Sequence, residues 1–245
     1  MYFRKEFMEV TFPQPDCVLV IVAHPDDPEF GMGGTIARWT RSGAKVTYLI
    51  TTDGSRGSSD ANMTRENLAE IRQAEQRAAA RVLGVSEVVF LGYPDGATKN
   101  TPELQRDLVR HIRSVHPDIV MTHDPTARIF DNSWLNHPDH RAVGDAALDA
   151  IYPFARDRLS FPELECEGLS PHKVLDIYLT PTNESNEIVD ISDTIDQKIK
   201  ALQEHRSQIG DPDALAERIR EWGRRRAEGT PFTYAERFRR INLRG

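Results

Sequence analysis

The sequence predicts an α/β fold, a Rossmann-like three-layer sandwich in which a mostly parallel sheet carries helices on both faces. Apolar, β-branched runs of strand length alternate along the chain with longer amphipathic segments, which is the pattern of successive βαβ units. The run at residues 17–23 is apolar without interruption, as in strands that are buried on both faces. The segments between these elements are polar and contain Gly and Pro, which marks them as loops.

The first elements of the chain form a predicted βαβ unit. A strand is followed by a polar loop at residues 24–31, a helix that begins near Gly33 and ends at Ser42-Gly43, and a second strand. Further strands follow, separated by helices. The strands predicted in this half span residues 17–23, 45–51, 87–91 and 119–122.

Capping residues define the next two helices. Asn62 or Thr64 is expected to cap a helix at residues 65–83, and Gly84 ends it. Thr101, followed by proline, opens the helix that precedes the fourth strand. Both helices carry their apolar residues on one stripe, so each is expected to pack on the sheet.

The second half of the chain is more polar and less regular. Strands are predicted at residues 174–179 and 188–190, and helices at residues 140–151, 193–205 and 211–228. The tail at 234–243 alternates Phe and Arg and is predicted to pack as a short helix. No linker divides the chain, so we expect one domain over residues 1–245, with a lead-in at 1–16 and a helical C-terminal segment at 193–245.

Composition excludes several classes of partner. Of the 245 residues, 39% are hydrophobic and 28% are charged, and the net charge of −7 argues against nucleic acid or an anionic membrane as the main partner. No apolar run approaches the roughly 20 residues that span a bilayer, and the N-terminal residues contain no secretory h-region. Cys17 and Cys166 are too few for a disulfide framework or an all-thiolate zinc site. We therefore expect a cytoplasmic protein in which any metal is bound by His and carboxylate groups.

The tripeptide His-Pro-Asp occurs three times, beginning at His24, His116 and His137. In open α/β sheets, ligands bind beyond the carboxyl ends of the strands. His24 directly follows the strand at residues 17–23, whereas His116 precedes its strand and belongs at the opposite edge of the sheet. We assign no function to the copy at His116, and we expect the other two to meet in space.

These two clusters contain the residue types of a catalytic metal site. Catalytic zinc takes three ligands from His and carboxylate groups and keeps a fourth position for water. His24 and Asp27 are close enough in the chain to share one ion, and His140, in the first turn of a helix, can supply the third ligand. Asp26 can then act as general base, and His137 can stabilise an oxyanion or protonate a leaving amine. The spacing leaves a second interpretation open, in which these residues only cap loops and a helix.

The chain resembles the LmbE-like, or PIG-L, zinc deacetylases over roughly residues 17–210. Two paired motifs carry the resemblance: Ala23-His-Pro-Asp-Asp27 with the glycines at 31–34, and Asn136-His-Pro-Asp-His140. Further matches are Thr52-Asp-Gly54, Arg72 with Glu75, Leu83-Gly84, Phe90-Leu-Gly-Tyr-Pro-Asp-Gly96 and His205-Arg-Ser-Gln208. The last of these is similar to the C-terminal motif of the archaeal diacetylchitobiose deacetylases.

The resemblance implies a zinc-dependent N-deacetylase that acts on an N-acetylglucosamine-type sugar. It implies one Zn²⁺ per subunit, although a site with two His and one Asp also suits other divalent ions. The subunits of such enzymes often form trimers or hexamers, so a homo-oligomer is implied. By motif position, the zinc ligands would be His24, Asp27 and His140. Asp26 would be the general base, and His137 the electrostatic or acid partner.

The resemblance also places Arg72 and Asp95 against the sugar. Without it, Arg72 is equally well explained by a surface ion pair with Glu75, and Asp95 by a structural turn. Asp53 and Arg56 lie in a flexible loop from which they could reach the substrate.

Three features remain open at this stage. His123, with Asp124, either braces a metal ligand or closes a turn. The Trp134-Leu135 pair forms an apolar wall under a sugar ring or belongs to the core. The commonest family motif has Glu directly after the two aspartates, whereas here Pro28 intervenes before Glu29. This departure leaves the role of Glu29 open.

Other functions are weighed against the deacetylase. A protein that binds dinucleotides or sugar nucleotides would use the glycines at 31–34, but these lack the GxGxxG spacing. A phosphoesterase usually binds two metal ions with more carboxylates than this chain offers. The presence of all five catalytic-type residues argues against a relative with a dead site. Hydrolysis of another N-acyl or ester substrate remains the alternative.

Overall fold

A seven-stranded sheet organises residues 13–243, the part of the chain that the computed structural model describes. Residues 1–12 of the predicted lead-in lie outside the described residues. The strands are β1 (Cys17–Val22), β2 (Lys45–Thr52), β3 (Glu87–Tyr93), β4 (Ile119–Thr122), β5 (Ile129–Phe130), β6 (Trp134–Leu135), β7 (Asp176–Leu179), β8 (Glu187–Asp190) and β9 (Ala235–Asn242). The helices are α1 (Asp27–Arg41), α2 (Arg65–Leu83), α3 (Pro102–Val115), α4 (Pro138–Asp149), α5 (Pro162–Cys166), α6 (Ile195–Leu202) and α7 (Pro212–Ala227).

The strand order is β3-β2-β1-β4-β7-β9-β8, and β5 and β6 form a separate antiparallel pair. The first five strands of this order are parallel, and β9 is antiparallel to both of its neighbours. Helices cover both faces, which confirms the predicted three-layer α/β fold. Among the described helices, none is long and apolar enough to cross a membrane.

The two faces of β1 belong to two separate cores. Val20 and Val22 pack in a cluster with residues of α1, α2, α6 and α7. Leu19 and Ile21 point the opposite way and pack with residues of α3 and α4. Side chains alternate along a strand, so a strand covered on both faces must be apolar throughout. The uninterrupted apolar run of β1 therefore reflects its central position.

The crossover between β1 and β4 creates the crevice in which ligands are expected. From β1, the chain first moves outward to β2 and β3 and then returns to β4 on the other side of β1. Helices that follow β1 and β4 consequently lie on opposite faces, and the carboxyl ends of these two strands open into a gap. His24, just after the end of β1, and His123, just after the end of β4, lie at this gap.

Helix α1 begins at Asp27, six residues before the predicted start at Gly33. The loop predicted at residues 24–31 is therefore reduced to its first three residues. Pro28 lies in the first turn, where its fixed φ and missing N–H suit a helix, and two acidic residues accompany it. The glycines at 31–34 are consequently inside the helix and not in a phosphate-binding loop. This disfavours the nucleotide-binding alternative.

The tail is a strand and not the short helix that the sequence predicted. Ala235–Asn242 forms β9, which lies between β7 and β8. Phe238 packs in one core and Ile241 against the other, as expected for side chains on opposite faces of a strand. The alternation of Phe and Arg is therefore a strand pattern with a period of two. The predicted C-terminal helical segment is helical only in α6 and α7.

Candidate metal centre

Three side chains converge at the crevice with the spacing of metal ligands. The Nδ1 atom of His24 lies 3.2 Å from Nε2 of His140 and 3.4 Å from Oδ2 of Asp27. Oδ1 of Asp27 lies 3.1 Å from Nε2 of His140. Atoms that bind a tetrahedral zinc ion at about 2.0–2.1 Å are roughly 3.3 Å from one another. One oxygen of Asp27 faces each histidine, and the three side chains together are candidate ligands for one zinc-sized ion.

Local structure explains why these side chains meet. His24 is the second residue after β1, and its backbone N–H donates to Oδ2 of Asp27 at 2.7 Å. His140 lies in the first turn of α4. A Cβ on Gly144 of the same helix would be 2.6 Å from the carbonyl oxygen of His123, so only glycine lets α4 approach the loop after β4 this closely. The rings of His123 and His140 stack as a result, with centroids 4.0 Å apart.

The charge distribution favours a cation at this place. Burial lowers the pKa of His24, but hydrogen bonds to Asp139, Asp27 and Asp95 outweigh it and raise the pKa to about 12. The carboxylates therefore stabilise a positive charge on the ring, and a divalent cation would replace the proton when it binds. The described residues contain three overlapping groups of possible ligands: His24 with His137 and His140, Asp27 with His123 and His140, and His24 with Asp95 and Asp139.

Asp139 is a site residue that the sequence interpretation missed. Its Oδ2 atom lies 3.2 Å from Nε2 of His24 and accepts the N–H of Gly96 at 2.7 Å, while Oδ1 accepts the N–H of Thr98. We call His24, Asp27 and His140 the ligand triangle. The carboxylate of Asp139 thus holds the ring nitrogen of His24 that faces away from this triangle. Metal-binding histidines commonly have such a carboxylate partner. Its place inside the second His-Pro-Asp motif was the available signal.

His123 braces the centre, one of the two roles left open for it. It is almost fully buried, its Nε2 atom accepts the N–H of Ala23 at 3.0 Å, and the same atom lies 3.3 Å from Oδ2 of Asp27. Burial, followed by the nearby charge of His140, lowers the pKa of His123 to about 4. The neutral ring of His123 accepts a hydrogen bond from the backbone at Nε2, and this bond connects the end of β1 to the end of β4.

Asp26 occupies a strained position beside His24, Asp27 and His140. Its φ of 87° and ψ of −25° are in the left-handed region, which costs a non-glycine residue about 1–3 kcal/mol. Burial raises the pKa of its carboxyl to about 6, against the opposing effect of Arg72, whose Nη2 lies 3.5 Å from Oδ2 of Asp26. Burial also acts on Asp27, but the neighbouring His140 holds its pKa well below the usual value. Asp26 therefore binds a proton more tightly than an ordinary aspartate, and Asp27 binds one less tightly.

His137 caps helix α4 and presents its ring to the same crevice. Its Nδ1 atom accepts the N–H of Asp139 at 3.2 Å, and its ring centroid is 4.7 Å from that of His24. Burial, and then the charges of His24 and His140, lowers the pKa of His137. A neutral ring that accepts at Nδ1 carries its proton at Nε2. It is therefore a hydrogen-bond donor without being protonated.

Arg72 is buried and organises the loops around the centre. Its Nη1 donates to the carbonyl oxygens of Gly54 and Arg56, and its Nη2 donates to the carbonyl oxygen of Pro25 at 2.9 Å. Only 5% of its surface is exposed. The guanidinium therefore connects the loops after β1 and β2. Contact with a substrate stays a prediction for this residue.

The other three predicted substrate residues lie around the same loops. Asp95 is buried, accepts the N–H of Arg56 at 3.1 Å and lies 3.3 Å from Nε2 of His24. Hydrogen bonding and the charge of His24 lower the pKa of Asp95 despite burial, which acts in the opposite direction. Asp53 accepts the N–H groups of Ser55 and Asp95 through Oδ1. Arg56 is exposed, and of these three it has the side chain most accessible to a ligand.

Glu29, whose role was open, is fully buried in α1. It accepts hydrogen bonds from Gln76 of α2 and lies 3.1 Å from Nε2 of His205. It contacts no member of the ligand triangle in the hydrogen bonds and ion pairs of the described residues. Pro28 therefore does not bring Glu29 into the metal centre.

The pair Trp134-Leu135 forms strand β6 of the hairpin that precedes His137. Trp134 is 49% exposed and Leu135 is 70% exposed, so neither belongs to the core. The ring of Trp134 stacks on Phe130 with centroids 4.7 Å apart. His116, in the unassigned motif, ends α3 at the opposite edge of the sheet, as predicted.

The family model and two similar proteins that match this chain are described as de-N-acetylases or deacetylases. The family model for PIG-L, described as GlcNAc-PI de-N-acetylase, matches residues 19–151, which is more than half of the chain. The chain is 36% identical over 195 residues to a diacetylchitobiose deacetylase of Thermococcus kodakarensis, and the match covers 78% of this chain and 70% of that protein. It is 29% identical over 197 residues to a probable N-acetyl-alpha-D-glucosaminyl L-malate deacetylase 2 of Bacillus anthracis, covering 78% and 81%.

A solved structure supports the same assignment. The N,N'-diacetylchitobiose deacetylase of Pyrococcus horikoshii superposes with a TM-score of 0.86 at 33% sequence identity, over 93% of this chain and 84% of that one. The matched region of the family model contains both His-Pro-Asp motifs of the candidate metal centre.

Proposed function

The chain belongs to the PIG-L family of de-N-acetylases, and from this premise we propose that it is a zinc-dependent hydrolase that removes the acetyl group from an N-acetylglucosamine-type sugar. The observation that carries the proposal is the ligand triangle of His24, Asp27 and His140 next to the raised pKa of Asp26. These three side chains would hold one Zn²⁺.

A zinc ion bound there would polarise the amide carbonyl and lower the pKa of a water molecule to about 7. The residues of the chain supply the other parts of the chemistry. Asp26 accepts the proton of the attacking water, because its carboxyl has a pKa of about 6 and is therefore ionised yet basic at neutral pH. Asp27 cannot take this role, since its pKa is held well below the usual value.

His137 stabilises the oxyanion that develops on the acetyl carbonyl. Its Nε2–H is free to donate because Nδ1 already accepts the N–H of Asp139. The neutral ring has no extra proton to give to the leaving amine. We therefore assign the return of the proton to Asp26, which received it in the preceding step.

The substrate class follows from the relatives. The named relatives act on N-acetylated amino sugars, namely diacetylchitobiose and N-acetylglucosaminyl malate. We propose an acetamido sugar as the substrate here, and we retain Arg72, Asp95, Asp53 and Arg56 as the residues that shape its site. Of these, Arg56 would touch the substrate directly. From membership of the same family, we also propose a homo-oligomer, either a trimer or a hexamer.

The test is acetate release over a panel of N-acetylated amino sugars: free N-acetylglucosamine, diacetylchitobiose and an N-acetylglucosaminyl conjugate. We expect turnover of at least one member, abolished by a chelator and restored by zinc. Release that is unchanged after complete removal of metal would refute the metal-dependent function. Release from esters but from no acetamide would favour the alternative substrate class.

A further inference from the structure

We propose that Glu29, Gln76 and His205 are positioning residues that hold Asp26 in its left-handed conformation by a continuous chain of buried hydrogen bonds. The inference rests on the proposed role of Asp26 as general base. None of the three residues belongs to the ligand triangle, and they come from three separate segments of the chain.

The chain of hydrogen bonds begins at the backbone of Asp26. Its N–H donates to Oε1 of Gln76 at 2.8 Å. Nε2 of Gln76 donates to the two carboxylate oxygens of Glu29 at 3.0 and 3.1 Å. Nε2 of His205 lies 3.1 Å from Oε2 of the same carboxylate and completes the chain.

Burial makes this arrangement specific. Glu29, Gln76 and His205 each have 0% of their surface exposed. A buried carboxylate without hydrogen-bond donors is costly, so Glu29 requires both Gln76 and His205. The amide of Gln76 is in turn fixed in one orientation, because its NH₂ must face Glu29. Its carbonyl oxygen is then aimed at the N–H of Asp26.

Asp26 needs such support because its backbone conformation is unfavourable by itself. A left-handed non-glycine residue persists only when its surroundings over-determine it. Arg72 engages the carboxylate of Asp26, but only Gln76 engages its backbone N–H among the described contacts. If that acceptor is lost, the backbone can relax and the carboxylate moves. A displacement of about 1 Å at a reacting group can cost on the order of 100-fold in rate.

The chain of hydrogen bonds also connects the C-terminal part of the molecule to Asp26. Glu29 belongs to α1, Gln76 to α2, and His205 follows α6. His205 thus influences catalysis without contact with the reacting atoms. This gives a role to Glu29, the residue after Pro28, and to His205 of the His205-Arg-Ser-Gln208 motif.

The first test is Gln76→Met, which keeps the length of the side chain and removes both the acceptor for Asp26 and the donor to Glu29. We expect kcat to fall roughly 10- to 100-fold while KM and the zinc content stay within about twofold of the wild type. Gln197→Met is the control, because Gln197 also donates from a helix, to the carbonyl oxygen of Val82, away from the site; it is partly buried, whereas Gln76 is fully buried. The control should keep its kcat.

The second test is rescue by a charge exchange. Glu29→Gln and Gln76→Glu should each lower kcat, because each leaves one hydrogen bond of the chain unmatched. In the double variant, the carboxylate at position 76 accepts from Asp26 and from the amide at position 29, whose oxygen accepts from His205. Each of the three links from Asp26 to His205 then has a donor and an acceptor again, and kcat should exceed that of either single variant at least fivefold. Such coupling is what a double-mutant cycle measures.

The outcomes separate this inference from the proposed function. Unchanged kcat in folded Gln76→Met, or a double variant no better than the singles, overturns the inference. If Asp26→Asn keeps full turnover, the role of the general base itself is wrong. An inactive Asp26→Asn together with a fully active Gln76→Met refutes only the positioning chain.

Discussion

Two adjacent aspartates at the end of β1 experience different environments, although they have the same side chain. Asp27 lies against the rings of His140 and His123, and the charge of His140 stabilises its anionic form. Asp26 has a left-handed backbone and lies beside Arg72, and burial raises its pKa to about 6. These different environments support the proposed roles, Asp27 as metal ligand and Asp26 as general base.

Asp26→Asn is predicted to lose at least ~100-fold in kcat, the usual scale for removal of a general base. The amide has a similar size and tolerates the left-handed backbone, so the fold and the ligand triangle should persist. Steady-state acetate release gives kcat, and elemental analysis gives the zinc content. A variant with bound zinc and near-normal kcat would contradict the assignment.

Asp139→Asn is predicted to weaken zinc binding roughly 10- to 100-fold, because the carboxylate orients the ring of His24. A competition titration against a chromogenic chelator measures the change. Asp149→Asn, at a half-buried carboxylate that ends the same helix α4 and bonds to Asn100, is the control and should bind zinc like the wild type. Equal affinities of the two variants would show that Asp139 has only a structural role.

Helix α1 is held by contacts with strand β9 and helix α6. Glu236 of β9 accepts the N–H groups of Gly34 and Thr35 inside the helix, as well as the hydroxyl of Thr35. Lys198 of α6 donates to Glu236 at 2.6 Å and to the carbonyl oxygen of Phe30 at 2.9 Å. This buried ion pair therefore binds backbone groups in the interior of α1.

Glu236→Ala is predicted to lower the free energy of unfolding by about 3–5 kcal/mol, because it leaves Lys198 buried without its counter-charge. Urea denaturation followed by circular dichroism measures the change. Glu221→Ala, which breaks the exposed pair with Arg224, should shift stability by less than about 1 kcal/mol. Equal effects of the two substitutions would refute the importance of the buried pair.

Elements with local signals were predicted well, and elements with distant determinants were not. Helix α2 has the predicted bounds, because Thr64 accepts the N–H of Asn67 at its start and Gly84 has a φ of 75° at its end. The early start of α1 depends on the backbone of Asp26, which a side chain of α2 holds. Strand β9 is defined by its partners β7 and β8, which the tail alone does not indicate.

The same distinction applies to the site. His24, Asp27 and His140 could be placed together because strand ends of a parallel sheet share one edge. Gln76 lies within a helix, far from this edge in sequence, and no local pattern marks it as a neighbour of Asp26. Asp139 was overlooked because the spacing of the motif had already assigned its two histidines. Tertiary packing, and not residue type, makes these two residues part of the site.

At the scale of the molecule, the centre lies where the order of the strands reverses around β1. The first motif follows β1, the loop after β4 contributes His123, and α4 returns the second motif to the same gap. His205 approaches from the helical layer on one face of the sheet. The fold thereby gathers residues from distant parts of the chain around one cation-favouring point.

Zinc loading is predicted to stabilise the whole fold, because the three ligands connect β1, α1 and α4 only in the folded state. At a zinc concentration 100 times the Kd, the expected gain is about 2.7 kcal/mol. For a chain of this size, the midpoint of thermal unfolding should rise by roughly 5–10 °C. Calorimetry of the metal-free and zinc-loaded protein measures the shift. An identical midpoint at saturating zinc would contradict a site built from these separate elements.

The position of the ion itself tests the account most directly. Anomalous diffraction at the zinc absorption edge, on crystals of the zinc-loaded protein, locates the metal without reference to activity. We predict one ion per chain, about 2.0–2.2 Å from Nδ1 of His24, a carboxylate oxygen of Asp27 and Nε2 of His140, with Asp26 unbound. An ion held instead by Nε2 of His24 with Asp95 and Asp139, or direct binding by Asp26, would contradict it.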